Sequence, residues 1–131
     1  MILVDTSVWV QALRQGDSDE AHELSRLLDE DLVTLAAPVR LEILSGAGKR
    51  HLATLERLLS ALPVLYPERS TWDLALSWVD IATRRGQQFG LADLLIGAQA
   101  TETDAAIWSL DRDFERLASL GLVRLHEPRS G

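Results

Sequence analysis

Four places in this 131-residue chain put a carboxylate where an apolar side chain would cost less. Asp5 ends the run Met1-Ile2-Leu3-Val4. Glu42 stands among Val39, Leu41, Ile43 and Leu44. Asp93 interrupts Leu91-Ala92-Asp93-Leu94-Leu95-Ile96, and Asp111 and Asp113 follow Ala105-Ala106-Ile107-Trp108. An ionised carboxylate taken out of water needs a counter-charge. Each acid has a local alternative. Asp5 or Ser7 can cap a following helix, as can Asp111 or Asp113; Asp93 suits the first turn of a helix; Glu42 can pair with Arg40 or with an arginine of a neighbouring helix. If the acids converge instead, two unit charges about 4 Å apart repel by about 4 kcal/mol at an effective dielectric of 20, and a cation resolves the conflict. An all-oxygen donor set without cysteine points to Mg²⁺ or Mn²⁺ rather than zinc. His22, His51 and His126 show no zinc-ligand spacing and read as surface or structural residues.

The elements that would position these acids alternate between strand and helix. The first strand is the apolar run ending at Val4, short and β-branched as a strand buried on both faces should be. A short helix over 8–15 stops at Gly16, and a second carries the stripe Leu24, Leu27, Leu28. A strand over 32–36 precedes Pro38 and a helix over 38–45, followed by a helix over 49–61 and a short strand at Val64-Leu65. Ser70-Thr71-Trp72-Asp73 resembles a capping box opening a long helix to Arg85, apolar on two faces (Trp72, Ala75, Leu76, Val79; Leu74, Trp78, Ile81) and so buried or half used for a partner. A small-residue helix over 91–103, a strand over 105–108, a helix over 114–120 and a last strand over 122–125 complete the chain before a polar tail at about 127–131. This alternation predicts a single α/β domain over 1–131, a parallel sheet with helices on both faces. Asp5 and Asp111 to Asp113 then leave strands at one sheet edge, where helices bearing Glu42 and Asp93 begin, and sites of open α/β sheets form at that edge.

Thirteen basic and twenty acidic residues give a net charge of −7, which argues against holding nucleic acid through overall electrostatics. A polyanion would need local help from a bound cation or from Lys49-Arg50 and Arg84-Arg85. The absence of cysteine fits a reducing cytoplasm. The four residues before Asp5 leave no room for a secretory apolar region, and no stretch approaches about 20 apolar residues, so a cytoplasmic location is expected.

The set Asp5-Thr6-Ser7-Val8, Glu42-Ile43-Leu44-Ser45-Gly46, Ala92-Asp93-Leu94-Leu95-Ile96-Gly97-Ala98 and Leu110-Asp111-Arg112-Asp113-Phe114 resembles the PIN-domain family, specifically its VapC-type toxins. The resemblance covers essentially the whole chain and rests on the order and spacing of the motifs together. It implies a three-layer sandwich around a parallel sheet of four to five strands, and a Mg²⁺- or Mn²⁺-dependent endoribonuclease, the toxin of a toxin–antitoxin pair. Carried over residue by residue, Asp5, Glu42, Asp93 and Asp111 form the acidic catalytic site. Asp5, Asp93 and Asp111 hold metal with Asp113 as an accessory ligand, and Thr6 or Ser7 is a polar neighbour. Ser109-Leu110 departs from the family, which often has a threonine and a polar residue there. The resemblance also implies a small antitoxin as partner, expected in a groove that includes Leu24, Leu27, Leu28, Leu52 and Leu55, and a homodimer on other apolar surface.

Other chemistries fit less well. Position 7 is Ser, not the second Asp of haloacid-dehalogenase-like phosphatases. In Ser45-Gly46-Ala47-Gly48-Lys49-Arg50, Ile43 replaces the first glycine of a phosphate loop and Arg50 its Ser or Thr. No G-x-S-x-G occurs. The rival of another class is a catalytically silent, receiver-like module that binds Mg²⁺ and a partner protein.

Overall fold

The computed structural model describes residues 1–129; Ser130 and Gly131, the end of the polar tail, lie outside the described residues. In chain order the elements are β1 (Ile2–Val4), α1 (Thr6–Arg14), α2 (Asp19–Asp29), β2 (Val33–Ala36), α3 (Ala37–Gly46), α4 (Leu52–Leu59), β3 (Val64–Leu65), α5 (Arg69–Arg84), α6 (Leu91–Glu102), β4 (Ala106–Trp108) and α7 (Arg112–Ser119). The strands pair in parallel in the order β3-β2-β1-β4. Strand order therefore reverses between β1 and β4, and the crevice beyond their carboxyl ends is the switch point where an open α/β sheet admits ligands. Register makes the juxtaposition specific: Val4 lies opposite Trp108, and the Asp5 amide donates to the Trp108 carbonyl at 2.9 Å. Asp5 and Ser109 leave the sheet side by side.

Consecutive buried positions along β2 (Val33–Ala36), β4 (Ala106–Trp108) and Leu3-Val4 of β1 show that both faces of the sheet are covered, as the unbroken apolar runs require. On α5 the core face is Thr71, Ala75, Trp78 and Ala82; Trp72, Leu76, Val79 and Ile81 stay exposed. The helix is capped at Glu68, whose N–H donates to Thr71 Oγ1 at 3.0 Å, two residues before the expected box. Opposite it, α6 is small-faced for a reason. A Cβ added at Gly97 would come within 2.9 Å of the Trp78 ring and 3.3 Å of Val123.

Three expectations are corrected. The stretch 122–125 is not a strand but one parallel bridge, Ile107 to Leu125, because the Leu122 amide goes to the Leu117 carbonyl and its carbonyl is taken by Thr101 Oγ1. The helix placed over 49–61 is Leu52–Leu59, its start displaced by a turn in which the His51 amide bonds the Gly48 carbonyl. Leu24 and Leu27, expected to line a partner groove, are core residues beneath α2; Leu28 and Leu55 pack partly against that core, and Leu52 alone of the five is exposed.

Candidate metal centre

Asp5 occupies the N-cap position of α1, yet its side chain caps nothing. Its Oδ2 instead accepts from Ser7 Oγ at 3.0 Å and from Ser109 Oγ at 2.8 Å, across 104 residues of sequence. The Asp5 residue is 6% exposed. The two hydroxyls lie 3.2 Å apart, and each also accepts a backbone N–H from the loop after β4, Leu110 to Ser7 and Asp111 to Ser109, both at 3.0 Å. A single hydrogen-bonded unit thus welds the ends of β1 and β4. Ser109, which looked like a departure from the family pattern, supplies the hydroxyl that orients Asp5.

Asp111 is the N-cap of α7, where it accepts the Asp113 amide at 2.9 Å, so the capping alternative holds for this residue. It nonetheless belongs to a cluster: oxygens of Asp93, Asp111 and Asp113 lie within 4.8 Å of one another. Asp93 enters from the first turn of α6, whose N-cap is Gly90. Two helix N-termini therefore meet here, and their positive ends favour negative charge. The favour is not enough for Asp93. Burial first, then a carboxyl hydrogen bond with Asp113 and the charges of Asp111, Asp113 and Asp5, push its pKa from the ordinary 3.8 to about 7. Among the described residues, no cationic side chain lies within 4.0 Å of Asp5, Asp93 or Asp111, whereas Asp113 pairs with Arg116 at 2.8 Å.

Glu42 and Thr6 join differently. Glu42 is exposed on α3 and accepts from Thr6 Oγ1 at 3.0 Å; neither it nor Asp5 is in the 4.8 Å group, although Asp5 is near enough to act on Asp93 electrostatically. The sequence reading missed Arg116, whose signal was its i, i+3 spacing from Asp113. It also missed Glu23, a buried acid one turn before Leu27 that binds Arg26 and His126 and so fastens the end of the chain to α2. A cavity of about 350 Å³ lined by Tyr66, Glu68, Thr71, Gln99 and Glu102 lies at the opposite end of α6, about 14 Å from Asp93 at 1.5 Å per residue. It is a separate feature from the acidic cluster.

The family model described as PIN domain matches residues 2–120. The ribonuclease VapC11 of Mycobacterium tuberculosis is 38% identical over 126 residues, covering 92% of this chain and 93% of its own. Among solved structures, FitAB bound to a DNA fragment superposes with a TM-score of 0.81 at 23% identity, with all of both chains covered. A toxin–antitoxin complex from Klebsiella pneumoniae does so with a TM-score of 0.73 at 15% identity, again over the whole of both chains.

Proposed function

From the chain's membership of the PIN-domain family and the geometry of its acidic mouth, we infer that it is a divalent-metal-dependent endoribonuclease, the toxin of a toxin–antitoxin pair. The observation that carries the chemistry is the convergence of Asp93, Asp111 and Asp113 at the sheet's switch point, with Asp93 driven to hold a proton near neutral pH. A site that takes up a proton to relieve crowded negative charge is built to exchange it for a cation. Three carboxylates, no thiol and no imidazole suit Mg²⁺ or Mn²⁺.

When bound, such a cation supplies an activated water and stabilises the charge that builds on a phosphodiester in the transition state. The residues of the chain do the rest. Asp93, Asp111 and Asp113 would offer the donor oxygens, Asp93 as its ionised carboxylate. Asp5, locked by Ser7 and Ser109, contributes fixed negative charge and a further oxygen at the base of the cleft. Glu42, held by Thr6, stands as an acid at the rim. No side-chain nucleophile is required.

RNA reaches this acidic mouth with local help. The helices α5 and α6 run antiparallel, since Ser70 and Thr71 at the start of one bind Glu102 at the end of the other. Arg84 and Arg85 therefore lie at the end of α5 nearest Asp93, both exposed. Single-stranded loops, whose bases can splay, are the substrates such a cleft reads best. The solved toxin–antitoxin complex of the same fold supports a small antitoxin as partner. The exposed stripe Trp72, Leu76 and Val79 on α5 supports a homodimer. Among the described residues, no helix is long and apolar enough to cross a membrane. The family match gives the receiver-like alternative no support.

The test is RNA cleavage by metal-stripped protein with Mg²⁺, Mn²⁺ or EDTA, beside Asp93→Asn. Cleavage restored by either cation and greatly weakened by the substitution is expected. Full activity in EDTA would overturn the mechanism.

A further inference from the structure

One cation is already built into the acidic mouth. Arg116, one turn after Asp113 on α7, donates from Nη1 to Asp113 Oδ1 at 2.8 Å and from Nη2 to the Gln88 carbonyl at 3.2 Å. Its Cζ lies 4.4 Å from the centroid of the Phe89 ring. Gln88 and Phe89 belong to the connection that ends at Gly90, the N-cap of α6, three residues before Asp93. The guanidinium therefore joins the two segments that carry the cluster: α7 with Asp111 and Asp113, and the entry to α6 with Asp93.

Building on the divalent-cation reading above, we propose that Arg116 is a positioning residue of the metal site, fixing the Asp113 carboxylate against Asp93 and Asp111 and holding the α6 entry against α7. The three acids repel one another, and Asp113 stands at the rim with 37% of its side chain exposed, free to swing into solvent if nothing restrains it. Arg116 supplies that restraint. Arginine suits the task because its planar fork serves a carboxylate and a carbonyl together while its face stacks on an aromatic ring. A lysine could keep the carboxylate but not all three contacts.

Removing Arg116 has two effects of opposite sign on cation binding. Loss of a positive charge leaves the site more negative and should tighten binding, but the Asp113–Arg116 pair is half exposed and screened, which limits the gain to about fivefold. Loss of a group that orients a metal-binding carboxylate weakens binding by about 10–100-fold. The second effect is the larger, so the sign of the change identifies the role.

The experiment is Mn²⁺ titration of metal-stripped protein, followed by the electron paramagnetic resonance signal of free Mn²⁺, for wild type, Arg116→Met and Arg116→Lys. Arg124→Met serves as control, because it removes an exposed pair with Asp104 before β4, at the opposite sheet edge. Circular dichroism reports folding. Arg116→Met is expected to bind Mn²⁺ at least tenfold more weakly, Arg116→Lys to recover part of the loss, and Arg124→Met to match wild type. If Arg116→Met does not fold, Arg116→Lys decides by the same criterion, a weaker binder despite its unchanged charge. Wild-type or tighter Mn²⁺ binding by the folded variant overturns the positioning role and leaves the metal centre standing. A wild type that binds no Mn²⁺ overturns the centre itself and this role with it.

Discussion

Replacing Asp93 by Asn tests whether the acids are scaffold or site, because the two roles give opposite signs. A structural acid loses stability when neutralised. Asp93 instead has its pKa raised from 3.8 to about 7 by burial and by the neighbouring carboxylates, so the folded protein holds its proton more tightly than the unfolded chain. Stability is then greatest below the unfolded value of 3.8 and is lost progressively as pH rises to about 7, with no further loss above about 8. At about 1.36 kcal/mol per pH unit the full loss would be about 4 kcal/mol, and water at the partly exposed rim reduces it to about 1–3 kcal/mol. Asn is nearly isosteric and its amide N–H can donate to Asp113 as the protonated acid does. In EDTA, Asp93→Asn should therefore be more stable than wild type by about 1–3 kcal/mol at pH 8, with a smaller difference left at pH 4.5. Urea denaturation at the two pH values measures it, the slope being unchanged if only stability moves. Saturating Mn²⁺ should reverse the order, since a ligand at 100 times its Kd adds about 2.7 kcal/mol to the protein that binds it. A variant less stable than wild type in EDTA at pH 8, or a difference independent of pH, would refute the reasoning.

Other perturbations address other parts of the molecule. Hydrogen bonds from Arg26, then His126 and the Arg129 amide, outweigh burial and hold the Glu23 carboxyl down from 4.5 to about 2, so its contribution is complete above pH 4.5 and disappears as pH falls through about 2. Glu23→Gln should accordingly cost about 2–3 kcal/mol at pH 7 and progressively less toward pH 2, read from denaturation midpoints. Ser109→Ala removes a donor to Asp5 and the acceptor for the Asp111 amide. It should cost about 1.5–3 kcal/mol and slow cleavage, while Ser109→Thr keeps both; a fully stable, fully active alanine variant would show that the weld between β1 and β4 does not matter. Gly97→Ala drives a methyl to within 2.9 Å of the buried Trp78 ring and should lower stability by about 1–3 kcal/mol, visible as a depressed melting temperature. Because a proton competes with the cation at Asp93, Mn²⁺ affinity should climb with pH up to about 7 and level off above it, a dependence that Asp93→Asn should lose.

The parts of this fold visible in one dimension are those set by local pattern. The unbroken apolar runs at Met1-Ile2-Leu3-Val4 and Ala105 to Trp108 mark buried parallel strands, and the carboxylates that come just after them stand out against those runs. What stayed hidden depends on partners far along the chain. Whether Asp5 caps α1 cannot be read from Asp5-Thr6-Ser7, because the answer lies with Ser109. The 122–125 segment has strand-like residues, but Leu122 spends its hydrogen bonds on Thr101 and Leu117, and only the Arg124–His126 stretch pairs with Ile107, as a single bridge. The leucine stripe of α2 has the same periodicity whether it faces a partner or the core, and only packing shows Leu24 and Leu27 to be interior.

Carboxylates at this sheet edge differ in how firmly each is held, and the difference follows from the elements that carry them. Asp5 leaves a strand at the centre of the sheet and is bound by two hydroxyls, so it defines a fixed base. Asp93 and Asp111 sit at the starts of two helices whose axes are set by core packing, Ile96 and Ala98 on α6, Phe114 and Leu117 on α7. Their positions are therefore inherited from the fold rather than from contacts with each other, which lets mutually repelling groups be held close. Asp113 relies on Arg116, and Glu42 relies on Thr6, which lies next to Asp5 at the opening of α1. Repulsion that the core sustains in the cation-free protein is what a bound cation relieves, so the same packing that costs stability in EDTA supplies binding free energy when metal is present.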